Sequence, residues 1–227
     1  MRNKILKPLA IASLLAVVPL TISSAYAVSK VNSRPSAFKL LNICGTAKNL
    51  PCKVGEIGPG GGIIFYVDNQ SQYPFGYLEA APSNLRPLAS NWCKFSNLIG
   101  TTSGVLNTGK VDSALVLQGC LSDVSSATSL ATIPFTAAQL ASAPNSSATW
   151  YLPSISELQL IKINAAVQVG WKKSAAPIYW SSTEVAPTLA DPSLAPTAWA
   201  MNSLDGSTSP VLKTDILEIL PIRSFGD

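Results

Sequence analysis

Acid–base chemistry in this 227-residue chain would have to come from its acids, because the sequence contains no histidine. That absence removes Ser-His-Asp and Cys-His hydrolases and histidine-ligated zinc together. Two carboxylates alone are enough to hydrolyse a glycoside, and Glu157, Glu184 and Asp191 are the candidates. Each also has a plainer reading. Glu157 completes a Ser154-Ile-Ser-Glu157 capping box, Glu184 closes the strand-like Trp180-Ser-Ser-Thr-Glu184, and Asp191 lies in the Pro- and Ala-rich loop from Ala186 to Pro196. No spacing forces two of them to catalytic distance, so the chain is read as not an enzyme. A carboxylate-based carbohydrate-active enzyme is the least favoured alternative.

Binding chemistry is better represented. Trp92 and Trp171 fall in loop-like stretches, where an indole can stack on a sugar ring while donating a hydrogen bond. Lys172 and Lys173 follow Trp171 directly, and Arg86, Lys94 and Lys110 lie in the loop-rich middle. Brought together, these residues would make a basic, aromatic surface suited to a sulfated or acidic glycan. Scattered, they are ordinary solvated charges. Trp150, Trp180 and Trp199 lie in or beside strand-like stretches and are assigned to the core. The run Gly58-Pro-Gly-Gly-Gly62 lacks the Gly-Lys-Ser/Thr ending of a phosphate loop and precedes a strand, so it reads as a tight turn where backbones approach closely.

The four cysteines bear on compartment. Residues 1–27 have the form of a secretory signal peptide: Arg2, Lys4 and Lys7, then an uncharged apolar run from Pro8 to Ile22, then Ala25-Tyr26-Ala27 before a cut at Val28. About 15 apolar residues are too few to span a bilayer, so no membrane span is expected after cleavage. The product is expected to be secreted, or loosely held at a cell surface. Cysteines in such a chain default to disulfides. Cys44, Cys52, Cys93 and Cys120 allow three pairings, of which Cys44–Cys52 and Cys93–Cys120 are favoured as nearest neighbours within one segment. Successive gaps of 8, 41 and 27 residues do not suit a four-cysteine zinc site. No metal or cofactor is expected.

Charge narrows the partners. The formal net charge is +4, with only 12% of residues charged. The leader holds three basic residues and no acid, leaving +1 on residues 28–227. That balance supplies no long-range field for a polyanion and argues against nucleic acid.

The elements that must position these groups follow from pattern. Residues 28–51 read as an N-terminal arm. Ile63 to Asp68 is a β-branched and aromatic strand, and Leu78 to Ala81 is its partner, joined through Tyr73-Pro-Phe-Gly76. Val111 to Cys120 suggests a short helix, and Ala137 to Ala141 a helical turn. The clearest helix starts at Ser154, with Ile155, Leu158, Ile161 and Ala165 on its apolar face. Strands are expected at Ile178–Ser182, Thr197–Ser203, Ser209–Lys213 and Ile216–Ile222. The pattern is α+β, short helices packed on antiparallel sheet with many loops.

Taken together, several segments resemble the Lcl C-terminal domain family, named from a bacterial collagen-like adhesin. They are Val54-Gly-Glu-Ile-Gly-Pro-Gly-Gly-Gly-Ile-Ile-Phe-Tyr-Val-Asp68, Leu78-Glu-Ala-Ala-Pro82, Trp150-Tyr-Leu-Pro-Ser-Ile-Ser-Glu-Leu158, Tyr179-Trp-Ser-Ser-Thr-Glu184, Ala198-Trp199 and Pro221-Ile-Arg-Ser-Phe225. The resemblance covers about residues 52–226 and implies a C-type-lectin-like domain over 52–227, exported and part of a bacterial surface or adhesion system. For the naming adhesin the associated ligands are sulfated glycosaminoglycans. This sequence has no Gly-X-Y stalk, and no Glu-Pro-Asn or Trp-Asn-Asp signature of calcium-dependent sugar binding. The expected function is therefore non-catalytic binding of a glycan, a sulfated polysaccharide or another cell-surface component. An envelope structural or protein-binding module is the alternative. Arg223, a charge set among apolar residues, is expected to pair with Glu157 or Glu184 inside the domain.

Overall fold

Ile63–Val67 (β1) is a run of β-branched and aromatic residues that hydrogen-bonds antiparallel to Tyr77–Ala80 (β2), with a bulge between Ile64 and Tyr66. This is a computed structural model, and it describes residues 43–45, 51–94, 97–122, 136–142, 150–171, 177–188, 194 and 196–226. The expected leader, most of the expected arm, Lys172, Lys173 and Asp191 lie outside the described residues. After β2 come a 3-10 turn at Ser83–Leu85 and the two-residue strand Ser90–Asn91 (β3). The helices are Gly109–Ser122 (α1), Ala137–Ser142 (α2) and Ile155–Asn164 (α3). Strands Ile178–Glu184 (β4), Thr197–Asn202 (β5) and Thr208–Leu212 (β6) follow, then Ile216–Leu217 (β7) and Ile222–Phe225 (β8).

These strands form three antiparallel sheets, in the orders β1-β2-β8, β3-β7 and β4-β5-β6. The α+β reading therefore holds, and both expected disulfides are present, Cys44–Cys52 and Cys93–Cys120. Residues Leu40–Asp227 make one compact unit. Its core has two main parts, divided by the β4-β5-β6 sheet, and a small third cluster of Cys44, Cys52 and Ile64. Successive strand residues point to opposite faces. Tyr179 and Met201 accordingly pack with Phe65, Leu78, Leu158 and Ile161 on one side. Trp180, Ala198 and Ala200 pack with Trp92, Val116 and Ala138 on the other. Covering both faces explains why β4 is buried from Tyr179 to Glu184 with no polar-out alternation.

Helix α3 begins as its sequence dictates. Ser154 accepts a bond from the Glu157 amide, and the Glu157 carboxylate accepts one from the Ser154 amide (2.7 Å), the reciprocal arrangement of a capping box. Leu158 and Ile161 then sit fully buried, each contributing roughly 1.5–3 kcal/mol of apolar burial. The expected last strand, Ile216–Ile222, is broken. Pro221 has no N–H to donate, its carbonyl accepts from Ala81 (2.8 Å), and the chain leaves the β3-β7 sheet to join β2.

Candidate functional site

The connection from β1 to β2 does more than reverse the chain. Asp68 takes the amides of Gln70 (3.1 Å) and Tyr73 (2.8 Å) on its two carboxylate oxygens, and its own amide donates to the Gly76 carbonyl (2.8 Å). That side-chain-to-backbone turn carries Ser71 in the left-handed region, at φ 51°. It also carries Tyr73, Phe75 and Tyr77, of which Phe75 packs into the core with Phe65 and Leu78 while Tyr77 packs against Ile64 and the Cys44–Cys52 disulfide. Tyr73 stacks on Phe75, with centroids 5.5 Å apart and an interplanar angle of 9°. Tyr66, from β1, meets both rings edge-on at 6.0 and 6.4 Å. Tyr77 stacks on Phe225 of β8 (5.1 Å).

These rings border open space. A concavity of about 780 Å³ is walled by Tyr73, Pro74, Phe75 and Tyr77, with Asp68 and Ser71 on its rim. A second, of about 430 Å³, lies against Tyr66 and Val67 with Lys53, Asn69 and Asn164. Both fall within the roughly 300–1,000 Å³ of small-molecule sites. Phe75 is buried, while Tyr66, Tyr73 and Tyr77 are half-buried and so available to a ligand. Burial, then the Asp68 carboxylate and Tyr73, push the Tyr66 phenol above its ordinary value. The walls offer ring faces, hydroxyls and amides, with one acid and one base. Such a surface can stack and hydrogen-bond a neutral polar molecule.

The residues picked out by sequence reasoning lie elsewhere. Trp92 is wholly buried; its indole donates to the Ser181 carbonyl (2.6 Å), and the Lys213 ammonium lies 5.0 Å from its ring centroid. Trp171 is 8% exposed and stacked on Tyr179 at 5.5 Å. Arg86 does come to Trp171's neighbourhood, but as a clamp. Its guanidinium donates to the carbonyls of Ala81 (3.1 Å) and Val169 and also bonds the Tyr179 side chain. Neither tryptophan is a free stacking platform, and Lys94 and Lys110 stand exposed outside the two concavities. Of the tryptophans assigned to the core, Trp150 and Trp180 are buried, whereas Trp199 is half-buried on β5. Loop residence, on which the assignment of Trp92 and Trp171 rested, did not mean exposure.

The carboxylates are likewise spoken for. Glu184 is fully buried and accepts from the amides of Ile99 (2.8 Å), Gly100 (2.5 Å) and Thr101 (2.9 Å), and from the Lys213 ammonium. Glu157, also fully buried, accepts from Ser154 and from Asn107 (3.1 Å). Burial, helped by nearby Asp112, pushes its carboxyl up to about 7 against those two donors. Asp112 is raised by burial as well, with Oδ2 lacking a hydrogen-bond partner. Both glutamates are fully buried, and neither lines either of the two concavities.

The expected pairing of Arg223 with Glu157 or Glu184 is corrected by the structure: Arg223 pairs with Glu79. The two stand directly opposite each other across β2 and β8, which puts them side by side on one face of the sheet. Burial raises the Glu79 carboxyl; Arg223 and the Gly60 amide (2.9 Å) partly offset that. The glycine run wraps this pair. A Cβ on Gly58 or Gly60 would overlap the Glu79 carboxylate, and one on Gly62 would run into the Ala80 carbonyl. The tight-turn reading of Gly58–Gly62 is the one its geometry supports.

No protein-family model matches this sequence, and no curated protein matches it either. Among the described residues, no three acidic or cysteine side chains are grouped as metal ligands, and no helix is long and apolar enough to cross a membrane. The groove residues that sequence reasoning passed over were nevertheless signposted. Tyr73-Pro-Phe-Gly-Tyr77 alternates aromatics with turn residues just after Asp68, and it was read only as a connection.

Proposed function

We propose that this is an exported, non-catalytic binding protein whose ligand is a glycan or another cell-surface component, held in the aromatic groove at the β1–β2 connection. The observation that carries this reading is the half-buried Tyr66, Tyr73 and Tyr77 lining open space of ligand size while every buried glutamate is committed to the fold. Aromatic faces flanked by hydroxyls and amides are the chemistry that sugar rings need. The leader-like residues 1–27 support export, and the order of motifs over 52–226 supports a C-type-lectin-like fold of the Lcl C-terminal kind.

The test is a glycan array probed with the purified, oxidised protein. Specific signals that fall about tenfold in Tyr73→Ala, with Trp171→Ala weakening them only through stability, are the expected result. A blank array overturns the glycan as ligand.

A second reading, an envelope module that binds protein, draws on Val111 and Leu115. They stand 62% and 40% exposed, one turn apart on α1. Capture of an envelope protein, lost in Val111→Asp, would favour it.

A further inference from the structure

We propose that the two concavities are subsites of one site, and that its ligand is an extended, uncharged saccharide chain. This rests on the groove reading above and goes on to its substrate class. The juxtaposition that argues for it is the ring of Tyr66, which belongs to the smaller concavity yet meets Tyr73 and Phe75 of the larger one edge-on, at 6.0 and 6.4 Å. The backbone makes the same join, because Asp68 lines one space and Asn69 the other. A ligand filling the Tyr73–Phe75 wall thus meets Tyr66 and Asn69 only if it continues beyond one sugar unit.

Charge selects among chains. The formal charges lining the two spaces are Asp68 and Lys53, of opposite sign. A sulfated or uronate chain needs a cluster of cations along its length, and here it would meet Asp68 at the rim of the larger space. A neutral chain loses nothing there. It can lay one ring on Tyr73 and a later one beside Tyr66, with its hydroxyls on Asn69 and Ser71. A proline-rich peptide also suits aromatic grooves, but it uses ring faces and has few donors for a rim of amides and hydroxyls. The saccharide uses both.

The experiment titrates the oxidised protein with length series, from one to six units, of neutral β-linked glucose and N-acetylglucosamine oligomers, with heparin and a proline-rich peptide in parallel. Affinity is expected to rise about tenfold or more between one unit and four. It should be little changed by salt. Asn69→Ala, at an exposed position, and Tyr66→Ala should each remove most of that gain, so that four-unit affinity falls toward the one-unit value. Equal affinity for one unit and four overturns the extended site and leaves the groove reading standing. Heparin binding that outruns every neutral chain and collapses in high salt overturns the uncharged ligand. Failure of every saccharide, with retention of a proline-rich peptide, overturns this inference and the glycan reading together.

Discussion

At the scale of single residues, burial raises two acids that differ in what faces them. Glu157 has no cation beside it; it has the Ser154 and Asn107 amides, and burial outweighs them. Its carboxyl titrates near 7 in the folded chain against an ordinary 4.5, so the folded state holds the proton more tightly than the unfolded. This group's contribution is therefore fully present below about pH 4.5, declines as pH rises, and is lost above about 7, a span worth about 3 kcal/mol. Urea unfolding from pH 4.5 to 8 should show that decline, and Glu157→Gln should flatten it; parallel slopes in the two proteins would refute the assignment. Glu79 instead has Arg223, with the ring of Trp150 5.7 Å from the guanidinium. Arg223→Met strands the Glu79 charge and should destabilise by about 3–5 kcal/mol. Adding Glu79→Gln should recover much of that, since an amide needs no counter-ion. An unchanged melting temperature in Arg223→Ala would sink the pair as a stabilising element.

At the scale of elements, the last residue of β4 fixes a loop. Three consecutive amides, Ile99, Gly100 and Thr101, converge on Glu184, and Lys213 bridges Glu184 to the Asn97 carbonyl (2.7 Å). The amide cluster is an anion-binding concavity filled by the protein's own carboxylate. Glu184→Ala should release the loop and strip hydrogen-exchange protection from Ile99–Thr101 before the β4-β5-β6 sheet loses any. Lys213→Met should do less, because the three amides still hold the carboxylate. The reverse order would show that the ion pair, not the amides, anchors the loop. Such joins also mark how far the sequence could be read. The α3 cap was legible because Ser154 and Glu157 are three residues apart, and β1 with β2 because β-branched runs flank a turn. The cysteine pairs followed from proximity. Glu79 opposite Arg223 was not legible, because a register across 144 residues of chain leaves no local trace. Pro221 was in plain view, yet its effect depended on where β2 lay. The groove was half legible: its aromatics alternate in the sequence, but only the bulged β1–β2 pairing brings Tyr66 against Tyr73.

Across the whole molecule, the two disulfides close loops of different length and secure different parts of the core. Cys44–Cys52 spans 8 residues and packs with Ile64 in a small cluster under β8 that includes Phe225. Cys93–Cys120 spans 27 and ties the stretch after β3 to α1, inside the larger cluster with Trp92 and Trp180. In the chain-entropy account the two are worth about 2.5 and about 3.5 kcal/mol, through the unfolded state. For a folded unit of this size, each kcal/mol moves the melting temperature by about 2–4 °C. Replacing Cys93 and Cys120 with alanine should accordingly lower the melting temperature by about 7–14 °C, and the same change at Cys44 and Cys52 by about 5–10 °C. Binding should rank the other way, because Cys52 lines the smaller concavity while Cys93 and Cys120 line neither. The weaker staple would then be the one whose loss shortens the saccharide the protein can hold. Calorimetry on both double variants, with titration of one-unit and four-unit ligands below their melting temperatures, separates the two roles. If the Cys93–Cys120 variant alone loses the chain-length gain, the site is coupled to the other half of the core and does not end at the edge of β1.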